Sequence, residues 1–401
     1  MPDGCPDVLR LEDEWCKAVS SAINGGSSGY MTKSRSAFKK QRYLQTGDAV
    51  ERRTICGLYP LVECHPSDTA VIHHVFRLAM AVAASSDEKL PPVIGGDQRS
   101  ARSAYWALWA EDQMPLDIVN HGLYPEVMVV LGFFHWELAL YRVLGKFLRG
   151  SGLEDALVNS GALTNDRLDK WLAAKMPVKE MRPLYEALYV TLDIMARKDH
   201  LESKEFAQTR MTFEEWRETI CSTSTMSAYL LNLMRVISIA FNFVDAIREV
   251  DVDRLFQMMH MSLPAFYAGD CSNYLKWGSV AFVYLMQWRQ NPRCLEAFKK
   301  SFCRFDESEI RNSVSLDQAT EMTIKEIAIT ANSGMTQQRL QKLLVADPCL
   351  RQITNIVEEE LGLPQVSRTT RTTNADPSDI GGKSTDEEHL HLSVFFAGDR
   401  L

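Results

Sequence analysis

The feature that most constrains this chain is a change of pattern at Gly152. Before it, the runs PPVIGG and PEVMVVLGFF are rich in β-branched and aromatic residues and are typical of buried strands, each followed by a helical stretch. After it, residues 153–300 carry helical periodicity with scattered prolines and hardly any strand-like alternation. The change predicts a mixed α/β, mostly helical chain in which an α/β layer adjoins a large all-helical block.

Composition shifts divide the chain into five predicted segments. These are a helical or partly disordered basic leader over 1–54, the first part of an α/β core over 55–152, the helical block over 153–300, a C-terminal part of the core with closing helices over 301–362, and a disordered tail over 363–401. We expect strands only in roughly 55–140 and just before Asp317. The tail is predicted to be disordered because its polar, Gly/Pro/Thr-rich composition buries too little apolar surface.

The charge balance restricts the kinds of partner. The 401 residues carry a formal net charge of −8, which argues against a surface coated with phosphate-binding cations. One clear basic segment lies in the leader, and it is either a solvated helix face or a contact with DNA phosphates or the nuclear import machinery. Its cations are Lys33, Arg35, Lys39, Lys40 and Arg42.

Targeting signals and cysteine spacing point to an intracellular protein. The nine cysteines are scattered without a C-x-x-C pair, unlike a secreted disulfide framework or a structural zinc site. The N-terminus lacks the basic and apolar regions of a signal peptide. The most apolar run, Met226 to Ile247, contains Arg235, which is costly in lipid, so we predict a buried helix and no membrane span. With the basic segment, this favours the nucleus over the cytoplasm.

Three acidic motifs are the candidates for chemistry. Asp97 follows PPVIGG directly, His135 and Glu137 come at the predicted carboxyl end of VMVVLGFF, and Asp317 and Glu321 are four residues apart on one helical face. Carboxylates gathered in this way bind Mg²⁺ or Mn²⁺, and two such ions about 3.5–4 Å apart support phosphoryl transfer. The alternative for each carboxylate is a turn residue or a helix cap.

A further motif, D-C-S-N-Y-L-K-W, covers 270–277. Tyr274 and Trp277 are three apart and could share a buried face of a helical hairpin, with Asp270 as the cap of the second helix. Alternatively, a helical insertion could lend Asp270 or Trp277 to a nucleic-acid groove.

Four segments carry a family resemblance. G-G-D-Q, L-G-F-F-H-W-E-L-A-L-Y-R-V-L-G, P-A-F-Y-A-G-D-C-S-N-Y-L-K-W and S-V-S-L-D-Q-A-T-E occur in this order over about 55–355. Together they resemble an uncharacterised, transposon-associated family of eukaryotic genomes. Its members typically show D-Q after a strand, G-G-x-H-x-E, a helical D-x-x-N-Y-x-R-W stretch and a final D-Q-x-x-E-Q. Here Phe133 follows Gly132 in place of the second glycine, and Met322 replaces the last glutamine.

The resemblance implies a transposase-derived protein with a ribonuclease-H-like α/β core interrupted by a large all-helical insertion. If it is active, it implies a divalent-metal-dependent DNA strand-transfer or nuclease activity that uses Mg²⁺ or Mn²⁺. Asp97 with Glu137 or Asp317 would then bind the metal, Glu321 would complete the set, and His135 would assist.

The alternative to an enzyme is a non-catalytic protein- or DNA-binding scaffold derived from a mobile element. The N-terminus shows no recognisable module for binding transposon ends, which favours a degenerate enzyme. In an active enzyme, Asp97, Glu137 and one carboxylate of 317–321 should converge in an open cleft, whereas in a scaffold they should be spread apart or held in caps and ion pairs.

Overall fold

The computed structural model describes residues 14–17, 19, 69–85, 88–112, 127–203, 209–304, 313–322 and 392–395. The chain divides into two units: unit 1 is Met1–Val50 with Trp136–Phe282, and unit 2 is Glu51–His135 with Val283–Leu401. The unit boundaries after 135 and after 282 differ from the predicted boundaries at 152 and 300, and the five-segment division stays a prediction. The cations of the basic leader lie outside the described residues.

Helices dominate the described residues, which confirms the prediction of a mostly helical chain. In chain order the elements are α1 Thr69–Ser85, β1 Val93–Gly96, α2 Gln98–Asp112, β2 Met128–Leu131, α3 Phe133–Leu148, α4 Leu153–Asn159, α5 Asn165–Leu172, α6 Val178–Glu202, α7 Phe213–Thr223, α8 Thr225–Glu249, α9 Val252–Ala268, α10 Ser272–Arg289, α11 Pro292–Ser301, β3 Cys303–Arg304, β4 Val314–Ser315 and β5 Leu392–Phe395. Within 153–203 and 209–300 every element is a helix, as the periodicity predicts.

Unit 2 contains a small sheet in the order β2-β1-β5. β1 and β2 are parallel, with Val93 opposite Met128 and Gly96 opposite Leu131. Both strands are buried along their whole length, as expected for continuous apolar runs covered on both faces. Helix α2 connects them and packs against both. The two predicted strands of the α/β layer are therefore present, and together they form a parallel pair.

Strand β5 differs from the sequence prediction. It pairs antiparallel with β1, placing Phe395 opposite Val93, although it lies within the tail predicted to be disordered. The physical reason is local: L-S-V-F-F supplies a short run of mostly apolar residues, among them a valine and two phenylalanines that favour strands. A composition averaged over 363–401 conceals such a short run. The prediction of a disordered tail over 363–401 is therefore wrong for residues 392–395.

The segment just before Asp317 is a strand, as predicted. β3 and β4 form a two-residue antiparallel ladder, and helical residues 316–322 follow directly. The Leu316 side chain lies in ordinary van der Waals contact with the Cβ position of Gly95, at 3.8 Å. This packing against β1 brings the start of the helix to the sheet.

Unit 1 is built around α8, which packs against α6, α7 and α9. Among the described helices, α8 alone is long and apolar enough to cross a membrane by length and composition, and 83% of its apolar window is buried inside the protein. This burial agrees with the predicted buried helix. Helix α7 begins with a capping box in which Thr212 and Glu215 satisfy each other's backbone groups.

The D-C-S-N-Y-L-K-W motif packs through a buried face, as its first interpretation predicts, but α10 begins at Ser272, so the predicted cap Asp270 lies one residue before the N-cap position. Tyr274 and Trp277 are both buried on α10. The Trp136 ring lies edge-on to Tyr274, with ring centroids 6.1 Å apart. Gly278 permits this approach, because a Cβ there would lie 2.8 Å from the Trp136 ring. The motif therefore forms part of the core of unit 1.

Candidate functional site

The candidate site lies in unit 2, at the carboxyl ends of the parallel strands β1 and β2. The two ends are joined where the Gly132 N–H donates to the Gly96 carbonyl at 2.7 Å. A helix begins directly after each strand, α2 at Gln98 and α3 at Phe133. Carboxyl ends of parallel strands are where α/β folds commonly bind ligands, because the following loops and helix N-termini converge there.

Asp97, the residue between β1 and α2, caps α2. Its Oδ1 accepts from the backbone N–H of Ser100 at 2.8 Å, and its carbonyl accepts from the N–H of Ala101 at 2.9 Å. A carboxylate in this position satisfies a helix N–H that has no partner in the helix and complements the partial positive charge of the helix N-terminus.

Asp317 caps α3 as Asp97 caps α2, although it lies in a distant part of the chain. Its Oδ1 accepts from the Phe134 N–H, and its Oδ2 accepts from the His135 N–H, both at 3.1 Å. The side chain is only 8% exposed. The approach requires glycine at 132, since a Cβ there would lie 2.4 Å from Asp317 Oδ2 and 2.9 Å from the Gly96 carbonyl oxygen.

The His135 side chain contacts the carboxylate of Asp317. Its Nδ1 lies 3.1 Å from Asp317 Oδ2, and its side chain is 30% exposed. Burial alone would lower the pKa of His135, but the hydrogen bond to Asp317 and the negative charges of Asp317, Asp97 and Glu321 outweigh it, so the pKa is raised above the ordinary 6.5. Four of the five predicted site residues therefore act on one another, and we call Asp97, His135, Asp317 and Glu321 the sheet-edge cluster.

Glu137, the fifth predicted residue, has other partners. β2 ends at Leu131 and α3 begins at Phe133, so the predicted placement of Glu137 at a strand end is corrected. On a helix, two residues of separation correspond to about 200° of rotation, which points Glu137 and His135 to opposite faces. Glu137 is buried in unit 1, where its Oε1 accepts from Arg182 Nη2 at 2.7 Å and from the Tyr141 hydroxyl at 2.8 Å.

Strong electrostatic shifts mark the surroundings of Glu137. Burial and the neighbouring Glu137 raise the pKa of Tyr141. The pKa of Arg182 is raised, because the attraction and hydrogen bond of Glu137 outweigh burial. Burial, together with the charge of Arg182, lowers the pKa of Arg248 to about 10. We call Glu137, Tyr141, Arg182 and Arg248 the buried arginine cluster.

The carboxylates of the sheet-edge cluster do not fit a metal ion in the observed arrangement. Both Asp317 oxygens accept hydrogen bonds from α3, and Asp97 Oδ1 is used by α2. Among the described residues, no group of three or more His, Cys, Asp or Glu side chains is arranged to hold a metal. The oxygen donors are of the type that Mg²⁺ and Mn²⁺ prefer, but their geometry is that of helix caps and an ion pair.

Sequence reasoning missed Gly132 and Arg182. Gly132 carried a signal, because a glycine directly between a buried strand and a His-containing helix suggests close approach of another group. Tyr141 could also have been found, since it lies four residues after Glu137 on the same helix. Arg182 had no local signal, because it meets Glu137 only through the packing of α6.

Comparison with known proteins gives a family without an assigned role. A family model described as "Domain of unknown function (DUF8702)" matches residues 156–395. The match begins in α4 and ends at the last residue of β5. No curated protein matches the chain. No solved structure matches it either.

Proposed function

We propose that this chain, which belongs to the DUF8702 family, is a transposon-derived protein whose acidic site now has a structural role. On this proposal its core descends from a ribonuclease-H-like fold, and the chain acts as a protein- or DNA-binding scaffold. The four ordered motifs support the descent. The hydrogen bonding of the acidic residues supports the loss of catalysis.

The observation that carries the proposal is the use of three of the acidic side chains, Asp97, Asp317 and Glu137, within the fold. Asp97 caps α2, and Asp317 caps α3 while pairing with His135. Glu137 is committed to Arg182 in unit 1. Caps and ion pairs of this kind are what a scaffold requires, whereas a metal-dependent nuclease needs carboxylate oxygens available to the ion.

The raised pKa of His135 supports the same conclusion. A proton on His135, held by the hydrogen bond to Asp317, would place a positive charge beside the carboxylate that a divalent ion would need. A metal ion would have to compete with this proton and with the α3 backbone for the same carboxylate oxygens. The charge of Asp317 is thus balanced by a group of the chain itself.

A second candidate is a divalent-metal-dependent transposase or nuclease. The convergence of Asp97, Asp317 and Glu321 on one histidine favours it, because such a gathering of negative charge is also typical of a phosphoryl-transfer site. It would require Asp317 to release His135 and the N-terminus of α3. The two candidates therefore differ in their response to Mg²⁺ and Mn²⁺.

The test is thermal unfolding of the full chain with and without Mn²⁺, together with cleavage of labelled DNA. The proposal predicts no metal-dependent rise in melting temperature and no cleavage. Asp97→Ala should cost about 1 kcal/mol through the lost cap, whereas Asp97→Asn can still cap α2 and should cost much less. Asp166→Asn, at an exposed carboxylate of unit 1, is the matched control. A metal shift of about 2.7 kcal/mol at a hundredfold excess over the dissociation constant, abolished by Asp97→Asn, would contradict the scaffold proposal.

The basic segment is the proposed DNA contact of the scaffold. Replacing its five cations with glutamine should weaken binding to duplex DNA and flatten its salt dependence, because the slope falls by about 0.9 for each phosphate that the protein no longer neutralises. Unchanged binding would remove this segment from the proposal. The cations are Lys33, Arg35, Lys39, Lys40 and Arg42.

A further inference from the structure

Unit 2 also carries a continuous set of aromatic rings at its surface. Trp106 and Trp109 on α2 lie edge-on, with centroids 5.1 Å apart. Trp109 Nε1 donates to the Tyr284 hydroxyl at 2.7 Å, and the Tyr284 ring lies 5.9 Å from that of Trp288 on α10. We call Trp106, Trp109, Tyr284 and Trp288 the aromatic ladder.

The aromatic ladder packs on a buried tyrosine that fixes it to the sheet. Tyr105 is fully buried, stacks on Tyr284 with centroids 5.4 Å apart, and donates its hydroxyl to the Val129 carbonyl at 2.9 Å. The aromatic rings are therefore fixed to strand β2 through a hydrogen bond and a stacked pair. A surface whose side chains are already ordered binds a partner at a smaller entropic cost than a mobile one.

The exposure of Trp106 is the unusual feature. Its side chain is 53% exposed, whereas Trp109, Tyr284 and Trp288 are half-buried. A tryptophan held at the surface by neighbouring rings presents a large apolar face to solvent, which folding alone does not favour. Such residues are enriched where proteins bind partners.

Cations accompany the rings on the same helix face. Arg99, Arg102, Trp106 and Trp109 follow one another at spacings of three, four and three residues, which places them along one side of α2. Arg102 is exposed one turn before Trp106, and Arg289 is exposed directly after Trp288 on α10. In a chain with net charge −8, Arg99 and Arg102 place positive charge on the side of α2 that carries the exposed ring.

We propose that the aromatic ladder, with Arg102 and Arg289, binds single-stranded nucleic acid, a base stacking on Trp106 while the arginines contact the neighbouring phosphates. Aromatic faces beside cations are the common means of binding single strands without sequence preference, because every base has a π-face and every nucleotide a negative charge. A proline-rich peptide also docks on aromatic surfaces, but it makes no use of adjacent cations. The proposal rests on neither the sheet-edge cluster nor the transposon origin, so its failure would leave both untouched.

The test is fluorescence anisotropy of a labelled oligothymidylate of about 20 nucleotides, longer than one binding site, mixed with the full chain. Wild type should bind, and Trp106→Ala should bind about tenfold more weakly, the equivalent of one lost stacked base. Trp106→Tyr should retain most of the affinity because it keeps a stacking face. Tyr267→Ala is the matched control, since Tyr267 is an aromatic residue of unit 1 that is 76% exposed.

Salt dependence tests the arginines separately. Arg102→Ala should lower the slope of log affinity against log salt by about 1, as expected when one phosphate is no longer neutralised. Arg149→Ala, at an exposed arginine of unit 1, should leave the slope unchanged. Circular dichroism and melting of each variant confirm that the chain is folded.

Three results would overturn the proposal. The first is no binding of oligothymidylate by wild type, and the second is equal binding by wild type and Trp106→Ala. The third is binding of a labelled proline-rich peptide that depends on Trp106 while oligothymidylate binding does not. The last result would assign the same surface to a protein partner.

Discussion

Two carboxylates associated with the H-x-E motif have different kinds of partner. Glu137 is part of the motif, and Asp317 pairs with its histidine. In unit 1, Glu137 is 3% exposed and pairs with Arg182, whose charge is permanent in the physiological range. In unit 2, Asp317 is 8% exposed and pairs with His135, whose charge depends on pH. One short sequence motif thus contributes to an ion pair with a permanently charged arginine and to another with a histidine whose charge depends on pH.

The difference shows which of the two ion pairs can respond to a change of pH. The charge of Arg182 stays fixed in the physiological range, and its ion pair with Glu137 holds α3 against α6. The sheet-edge cluster gains or loses a proton at His135, and its carboxylates lie at a sheet edge where ligands commonly bind. A functional role is therefore easier to support for unit 2.

Breaking the unit 1 pair should have the largest effect on stability. Arg182→Leu leaves Glu137 buried without its cation, and we expect a loss of about 3–5 kcal/mol in the free energy of unfolding. Urea unfolding measures this directly. Arg167→Leu, which removes an exposed partner of Glu180, is the control and should cost less than about 1 kcal/mol. Equal losses in the two variants would contradict the assigned role of the buried pair.

Gly132→Ala should have the next largest effect. Its Cβ would lie 2.4 Å from Asp317 Oδ2 and 2.9 Å from the Gly96 carbonyl oxygen, so the carboxylate or a strand end must move. We expect a loss of about 3 kcal/mol from this overpacking, measured by urea unfolding. Gly95→Ala is the matched control, because its nearest neighbour is at 3.8 Å. A Gly132→Ala protein as stable as wild type would show that Asp317 does not cap α3.

Asp317→Asn should make the pH dependence of stability smaller. His135 has a raised pKa in the folded chain, so its contribution to stability is fully present below pH 6.5 and is lost as pH rises through the folded pKa. The charge-assisted hydrogen bond contributes about 2 kcal/mol. The cost of Asp317→Asn should therefore be larger at pH 5.5 than at pH 9. Because Asp97 and Glu321 also face His135, their Asn and Gln variants should give smaller changes of the same sign.

Removing β5 should have the smallest effect. A chain that ends before Leu392 loses the pairing with β1, and the lost hydrogen bonds are partly offset by the entropy of a strand that need no longer be ordered. We expect a net loss of about 1 kcal/mol and faster hydrogen exchange at β1. Ending the chain after Phe395 is the control. If removing β5 left the hydrogen exchange of the Val93 and Gly95 amides unchanged, β5 would not protect β1.

The sequence predicts the parts of the fold that depend on local pattern. The β-branched runs locate β1 and β2, the periodicity after Gly152 locates the helices, and Asp97 is correctly placed at a strand end. The placement of Glu137 fails because Phe133 and Phe134 continue the apolar run past Gly132, although the strand has already ended at Leu131. Apolar runs of this length do not distinguish the two states.

The partners of the site residues depend on long-range packing. Asp317 lies 183 residues from Phe134, whose N–H donates to it, and Arg182 lies 45 residues from Glu137. Local periodicity carries no information about which distant side chain satisfies a helix terminus or a buried charge. The pairing of β5 with β1 is long-range in the same way, although the apolar run that forms β5 is local.

The central claim is that a proton on His135, rather than a metal ion, balances the charge of the Asp317 carboxylate. The most direct measurement is a titration of the His135 ring nitrogens by ¹⁵N NMR, with and without Mg²⁺, using His135→Gln to assign the signals. We predict a pKa above the ordinary 6.5, a hydrogen bond at Nδ1, and no shift on adding Mg²⁺. A pKa at or below 6.5, or one that falls when Mg²⁺ is added, would contradict the account.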